Sequence, residues 1–126
     1  MRVLFVCIEN SCRSQIAEAF AKMHGPGVEV YSAGSRPSGL VNAKAVASMR
    51  EIGYDLSTHR SKSLDEIPPG PYDVVVTMGC GDACPWVPTT RREDWEIPDP
   101  KEMDADDFRN VRFEIARRVD KLLSSR

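Results

Sequence analysis

Residues 3 to 8, VLFVCI, form an apolar run with no polar break, and six residues later the chain has passed through ENSCR into SQIAEAFAKMH, which has helical periodicity. A strand apolar on both faces must be covered on both faces, the condition met in a parallel sheet flanked by helices. Arg2 to Cys7 is therefore read as a buried parallel strand. Ser14 to His24 is read as a helix with Ile16, Ala19, Phe20 and Met23 on one stripe, stopped by Gly25-Pro26-Gly27. The unit then repeats. Val28 to Ala33 is a second strand ending at Gly34, and Asn42 to Ile52 a second helix stopped by Gly53, with Val46, Met49 and Ile52 expected in the core. Tyr72 to Met78, YDVVVTM, is the third strand. A loop bearing Pro, Cys and Trp follows, a short fourth strand is expected near Trp95 to Ile97, and a terminal helix runs from about Asp104 to Leu123. Its Phe108, Val111, Ile115, Val119 and Leu122 recur at helical spacing and are expected to pack on the sheet. This alternation predicts one α/β domain over residues 1–126, three layers deep around a central parallel sheet.

Ligands of such sheets bind beyond the carboxyl ends of the strands. Cys7 ends the first strand and Ser14 opens the helix. Between them the loop of Ile8, Glu9, Asn10, Ser11, Cys12 and Arg13 can curl so that successive N–H groups join the positive helix N-terminus in an oxyanion cradle. Arg13 adds a permanently charged planar fork suited to a tetrahedral oxyanion. The same field favours the thiolate of Cys7 and makes it a nucleophile. Far along the chain, IPDP brackets Asp99 with two prolines, and a carboxyl brought over the strand ends can hold the proton that a leaving oxygen needs.

Composition removes several other functions. At 126 residues, with 41% hydrophobic and 29% charged residues, the chain has the make-up of a globular domain. A net charge of −2, with only the small basic pairs Arg91-Arg92 and Arg117-Arg118, predicts no nucleic-acid partner. No apolar stretch reaches membrane-spanning length, and the first ends at Glu9, too soon for a signal peptide; a cytoplasmic protein is expected. In a reducing compartment the four cysteines point to catalysis, redox or metal chemistry rather than a disulfide framework. A structural zinc site using Cys7, Cys12, Cys80 and Cys84 is the outlying alternative, disfavoured by the positive charge that Arg13 and a helix N-terminus would add to a cation site.

VLFVCIENSCRSQIAEAF, VYSAG, VVTM and Asp99-Pro100 together resemble the low-molecular-weight protein tyrosine phosphatase family, and within it the thiol-coupled arsenate reductases. The resemblance covers nearly the whole chain. It implies a four-stranded parallel sheet, Cys7 as nucleophile, Arg13 as oxyanion binder, Ser14 as a hydroxyl supporting the thiolate, and Asp99 as general acid. It also separates two chemistries. A phosphatase would use Cys7 alone as phosphoryl acceptor, whereas a reductase needs further thiols, and TMGCGDACP supplies Cys80 and Cys84 just beyond the third strand. The expected relay runs from Cys7 to Cys80 and on to Cys84, with an external thiol reductant of the thioredoxin kind and no resident cofactor. The chain departs from the family at several positions. Lys101 and Glu102 stand where phosphatases carry aromatic residues, which counts against phosphotyrosine. Glu9 replaces a glycine, and must point outward or be neutralised by a cation such as Arg36. Relatives that hold potassium use an Asn, a Glu, a Ser and an Asp; Asn10, Glu18 and Ser32 match, but Lys62 takes the acidic position, so its ammonium is expected to replace the ion and no metal is predicted. Cys12 is read chiefly as a packing side chain, with a protective disulfide to Cys7 as the alternative. His59 is read as structural, Trp86 and Trp95 as covers over the strand ends, and the protein as a monomer.

Overall fold

The computed structural model describes residues 1–79 and 87–124. Its elements are β1 (Arg2–Cys7), α1 (Arg13–His24), β2 (Glu29–Gly34), α2 (Ala43–Arg50), β3 (Tyr72–Thr77), β4 (Thr89–Asp94) and α3 (Ala105–Ser124), with short 3-10 turns at Leu56–Thr58 and Leu64–Glu66. The four strands are all parallel in the order β2-β1-β3-β4. The most apolar strand therefore lies inside the sheet, and β1 is paired on both edges.

The pleat of β1 divides the core in two. Val3, Phe5 and Cys7 face a large cluster that also takes Ile16 and Phe20 of α1, Met49 of α2, and Phe108, Ile115 and Val119 of α3. Leu4 and Val6 face a smaller one with Val75, Tyr72 and Val87, packed against Leu64 and Ile67. All three helices thus share one face, while among the described residues the second face is covered by a 3-10 turn and loops. Ile115 is fully buried, and burying a side chain of that size stabilises by about 1.5–3 kcal/mol.

Three sequence expectations need correction. The fourth strand is Thr89–Asp94, not Trp95 to Ile97. Its TTRRED has no apolar alternation because it is the sheet edge, where exposed charges also discourage pairing with other chains. Trp95 and Ile97 instead fill the core, with the Trp95 ring 5.8 Å from that of Phe5. Met23 and Ile52 are exposed: Met23 lies in the last turn of α1, and Ile52 falls in the turn after α2. That helix begins sharply because Asn42 Oδ1 accepts from the N–H groups of Lys44 and Ala45. Among the described residues no helix is long and apolar enough to cross a membrane.

Candidate active site

β1 delivers Cys7 to the end of the sheet opposite Gly34 of β2. A Cβ at Gly34 would lie 2.6 Å from Ile8 O and 2.9 Å from Asn10 N, so only glycine lets the loop after Cys7 fold back across the strand end. Residues 36–42 hold that loop from outside. Arg36 N–H donates to Ile8 O, Ser38 N–H to Glu9 O, and Asn42 N–H to Ser11 O. In a planar trans peptide the next N–H points opposite to the carbonyl, which sets the amides of Glu9, Asn10 and Cys12 antiparallel to these bonds. Cys12 is the N-cap of α1, makes no side-chain capping bond, and no acidic residue occupies the first turn. Among the described residues, the loop and the helix start therefore present amide donors that no side chain satisfies.

Asn10 is the pivot of the loop. It is fully buried with φ +49°, a left-handed conformation that asparagine tolerates better than most residues. Its Oδ1 accepts from the backbone N–H of Lys62 at 2.9 Å, a group that can only donate, so the other terminal atom is Nδ2. Nδ2 donates to Ser14 Oγ at 2.8 Å, and Ser14 Oγ lies 2.9 Å from Cys7 Sγ. Asn10 fills one of the two lone pairs of Ser14 Oγ and leaves its proton free, so the hydroxyl can donate to a thiolate at Cys7. Gln15 completes the frame: its Nε2 donates to Asn10 O, Asn10 Oδ1 and Arg60 O. Its Oε1 accepts from His59 Nδ1, which leaves Nε2 of a neutral ring to accept from Tyr54. Burial lowers the basicity of His59, in keeping with that neutral state and with a structural role.

Arg13 is buried to all but 9% of its side chain and donates from Nη1 to Ile97 O at 2.9 Å; its Nη2 is 4.0 Å from Asp99 Oδ2. Asp99 is 43% exposed and accepts from Lys101 N–H. Cys7, Ile8, Glu9, Ser11, Cys12, Arg13, Asp99, Lys101 and Glu102 line one cavity of about 590 Å³. The remote Asp99 has thus been brought to the loop at residues 7–13. Asn10 and Ser14 support the cavity from behind and are absent from its lining. Cys12 and Cys7 are free thiols, and burial pushes the Cys12 thiol far up, which suits a neutral packing residue. Glu9 is neutralised by Lys101 at 3.3 Å rather than by Arg36, whose backbone N–H engages the loop instead. Trp95 packs in the core outside the cavity lining. Cys80, Cys84 and Trp86 lie outside the described residues.

Behind α1, Lys62 Nζ sits 3.5 Å from Glu18 Oε1 and 3.2 Å from Ser32 Oγ. Burial raises the Glu18 carboxyl, but Lys62, Lys22 and Ser32 outweigh it and hold the carboxyl below its ordinary range. Among the described residues no group of three or more His, Cys, Asp or Glu side chains could hold a metal.

Sequence reasoning missed four residues that shape this site: Gly34, Gln15, Lys44 and Gly79. Lys44 Nζ donates to the carbonyls of Lys101 and Met103 and ties the Asp99 loop to α2. Gly79 has φ +80°, and a Cβ there would fall 2.1 Å from Arg13 Nη1. No local pattern announces such contacts.

Fold and site define the class as a parallel α/β protein with a cysteine, an arginine and an aspartate gathered at the end of its first strand. The model of the low molecular weight phosphotyrosine protein phosphatase family matches residues 2–125. The glutaredoxin arsenate reductase of Synechocystis is 39% identical over 126 residues, covering 98% of this chain and 96% of its own. A solved structure of an arsenate reductase in the phosphate binding state has 41% identity and a TM-score of 0.89, covering 98% of this chain and 97% of that one. Another, of an arsenate reductase in an oxidized state, has 39% identity and a TM-score of 0.88 with the same coverage. The chain belongs to the low molecular weight phosphotyrosine protein phosphatase family.

Proposed function

We propose that the protein reduces arsenate to arsenite with Cys7 as nucleophile and Cys80 and Cys84 as the thiols that take up the oxidation. Arsenate binds over the loop amides, the α1 N-terminus and Arg13. The Cys7 thiolate, held by the Ser14 hydroxyl, attacks arsenic; Asp99 gives its proton to the departing oxygen, which leaves as water. The Cys80 thiolate then attacks Cys7 Sγ. The S–As bond breaks, its electron pair stays on arsenic, and As(V) departs as As(III) while Cys7 and Cys80 are joined. Attack by Cys84 on Cys80 frees Cys7 and leaves a Cys80–Cys84 disulfide for an external dithiol to reduce.

The observation that carries this reading is the bond chain from Lys62 N–H through Asn10 to Ser14, which holds the Ser14 hydroxyl 2.9 Å from the Cys7 sulfur, within reach to donate to a thiolate there. Strand order supports the second thiol. β3 lies directly beside β1, Met78 N–H donates to Val6 O, and Cys80 follows two residues later. The arsenate reductase names of the relatives support the substrate. Hydrolysis of phosphomonoesters is the second reading, favoured by the family itself and requiring only Cys7, Arg13 and Asp99.

Parallel turnover tests decide between them. Arsenate is supplied with thioredoxin, thioredoxin reductase and NADPH, or with glutaredoxin and glutathione, alongside an aryl phosphate. Cys7→Ser is expected to abolish every activity. Cys80→Ser and Cys84→Ser are each expected to abolish multiple-turnover arsenate reduction and spare any aryl phosphate hydrolysis. Full arsenate turnover by Cys84→Ser would refute the three-thiol relay.

A further inference from the structure

One ion pair crosses the mouth of the Cys7 cavity. Glu9, two residues after the nucleophile, meets Lys101, two residues after the candidate acid, with Oε1 and Nζ 3.3 Å apart, and both side chains line the cavity. Lys101 is fixed at both ends. Its N–H donates to Asp99 Oδ1, and its carbonyl accepts from Lys44 Nζ. In an in-line displacement at Cys7 the leaving group departs on the side away from the sulfur, where the acid must meet it. The pair therefore stands beside the exit path of whatever Asp99 protonates. Volume alone would not exclude a large leaving group, since about 590 Å³ is many times the ~30 Å³ share of a water molecule.

Charge gives the pair a second task. Among the described residues lining the cavity, Glu9, Asp99 and Glu102 face only Arg13 and Lys101. With Lys101 counted the carboxylates exceed the cations by one, and without it by two, so screening Glu9 lowers the repulsion that an incoming dianion meets. Hydrogen bonding to Glu9 strengthens the protonated form of Lys101, so the screen persists through the neutral range.

We infer that the Glu9–Lys101 pair is a selectivity gate that admits a bare tetrahedral oxyanion and obstructs an aryl phosphomonoester at the same site. The inference rests on the oxyanion reading above and adds its specificity. Side-chain exposures of 41% for Glu9 and 47% for Lys101 make this a surface pair that opens and closes, so the effects are several-fold rather than orders of magnitude.

The test uses Glu9→Ala, Lys101→Ala and the double variant, none of which removes a buried group. Two quantities are read: the ratio of kcat/KM for para-nitrophenyl phosphate to that for arsenate, and the competitive inhibition constant of inorganic phosphate. Both substrates carry similar charge, so the ratio isolates the obstruction and is expected to rise about fivefold in all three variants. The phosphate constant isolates the screening. It is expected to rise about fivefold in Lys101→Ala, where Glu9 is left bare, and to return to the parent value in the double variant. A ratio that stays at the parent value, or a double variant as weak for phosphate as Lys101→Ala, would overturn the gate. If phosphate failed to inhibit even the parent protein, the oxyanion reading and the gate would both fall.

Discussion

Replacing Gly79 with alanine tests the Arg13 site through the fold. Gly79 sits at φ +80°, where a side chain costs about 1–2 kcal/mol. Its new Cβ would also lie 2.1 Å from Arg13 Nη1, too close to coexist. The guanidinium is the far end of a flexible side chain, so it is the part that yields. Its displacement breaks the bond to Ile97 O, and a buried hydrogen bond from a charged group contributes about 1.5–3 kcal/mol. Gly53→Ala is the control: Gly53 has φ +85° with nothing within 4 Å of a Cβ, so it carries the backbone strain alone. Gly79→Ala is therefore expected to lose about 2.5–5 kcal/mol and Gly53→Ala about 1–2 kcal/mol in urea unfolding. Only Gly79→Ala should weaken phosphate inhibition, by about tenfold or more, because only it moves the arginine. Equal unfolding midpoints for the two variants, with phosphate inhibition as in the parent, would refute the placement of Arg13 against Gly79.

Two further outcomes follow from the hydrogen-bond and charge networks. Asn10→Asp keeps the acceptor for Lys62 N–H but turns the group facing Ser14 into a second acceptor, which draws the Ser14 proton off Cys7. Iodoacetamide alkylation of Cys7 at neutral pH, followed by mass spectrometry, should slow about fivefold or more, and an unchanged rate would remove Ser14 from its assigned role. At the α2–α3 junction, hydrogen bonds from Arg109 and then Arg112 hold the Glu51 carboxyl down at about 2, against an ordinary value of 4.5. A depressed carboxyl stabilises the folded state above its unfolded value, and that contribution is lost as pH falls from about 4.5 towards 2. Glu51→Gln should flatten stability over that acid range, measured as the urea midpoint against pH; an acid limb as steep as the parent's would contradict the assignment.

Much of the fold was legible because covalent neighbours carried the signal. The unbroken run at Val3 to Val6 required cover on both faces, and the stripe Phe108, Val111, Ile115, Val119 required a helix against the sheet; the structure buries all of them. The fourth strand was illegible for the converse reason. TTRRED forms a strand only because β3 offers it a free ladder of backbone groups, from Tyr72 against Thr89 to Thr77 against Asp94, and no side-chain periodicity is needed for that. Glu9 shows the same limit in the site. Its charge announced the need for a counter-ion, but whether Arg36 or Lys101 supplied it depended on which loop crossed the mouth.

The sequence by itself determined the setting of Cys7, because that residue, the loop and the helix start are contiguous, and a strand leading directly into a helix leaves few ways to place the residues between. Tertiary structure alone decided what surrounds that sulfur. Asp99 reaches Arg13, Lys62 orients Asn10, and Gly79 makes room for a guanidinium, across separations of 86, 52 and 66 residues. Contacts so distant along the chain exist only after the sheet has set its strand order, and burial then fixes the direction of each donor, since a polar group shut away from water must find its partner there.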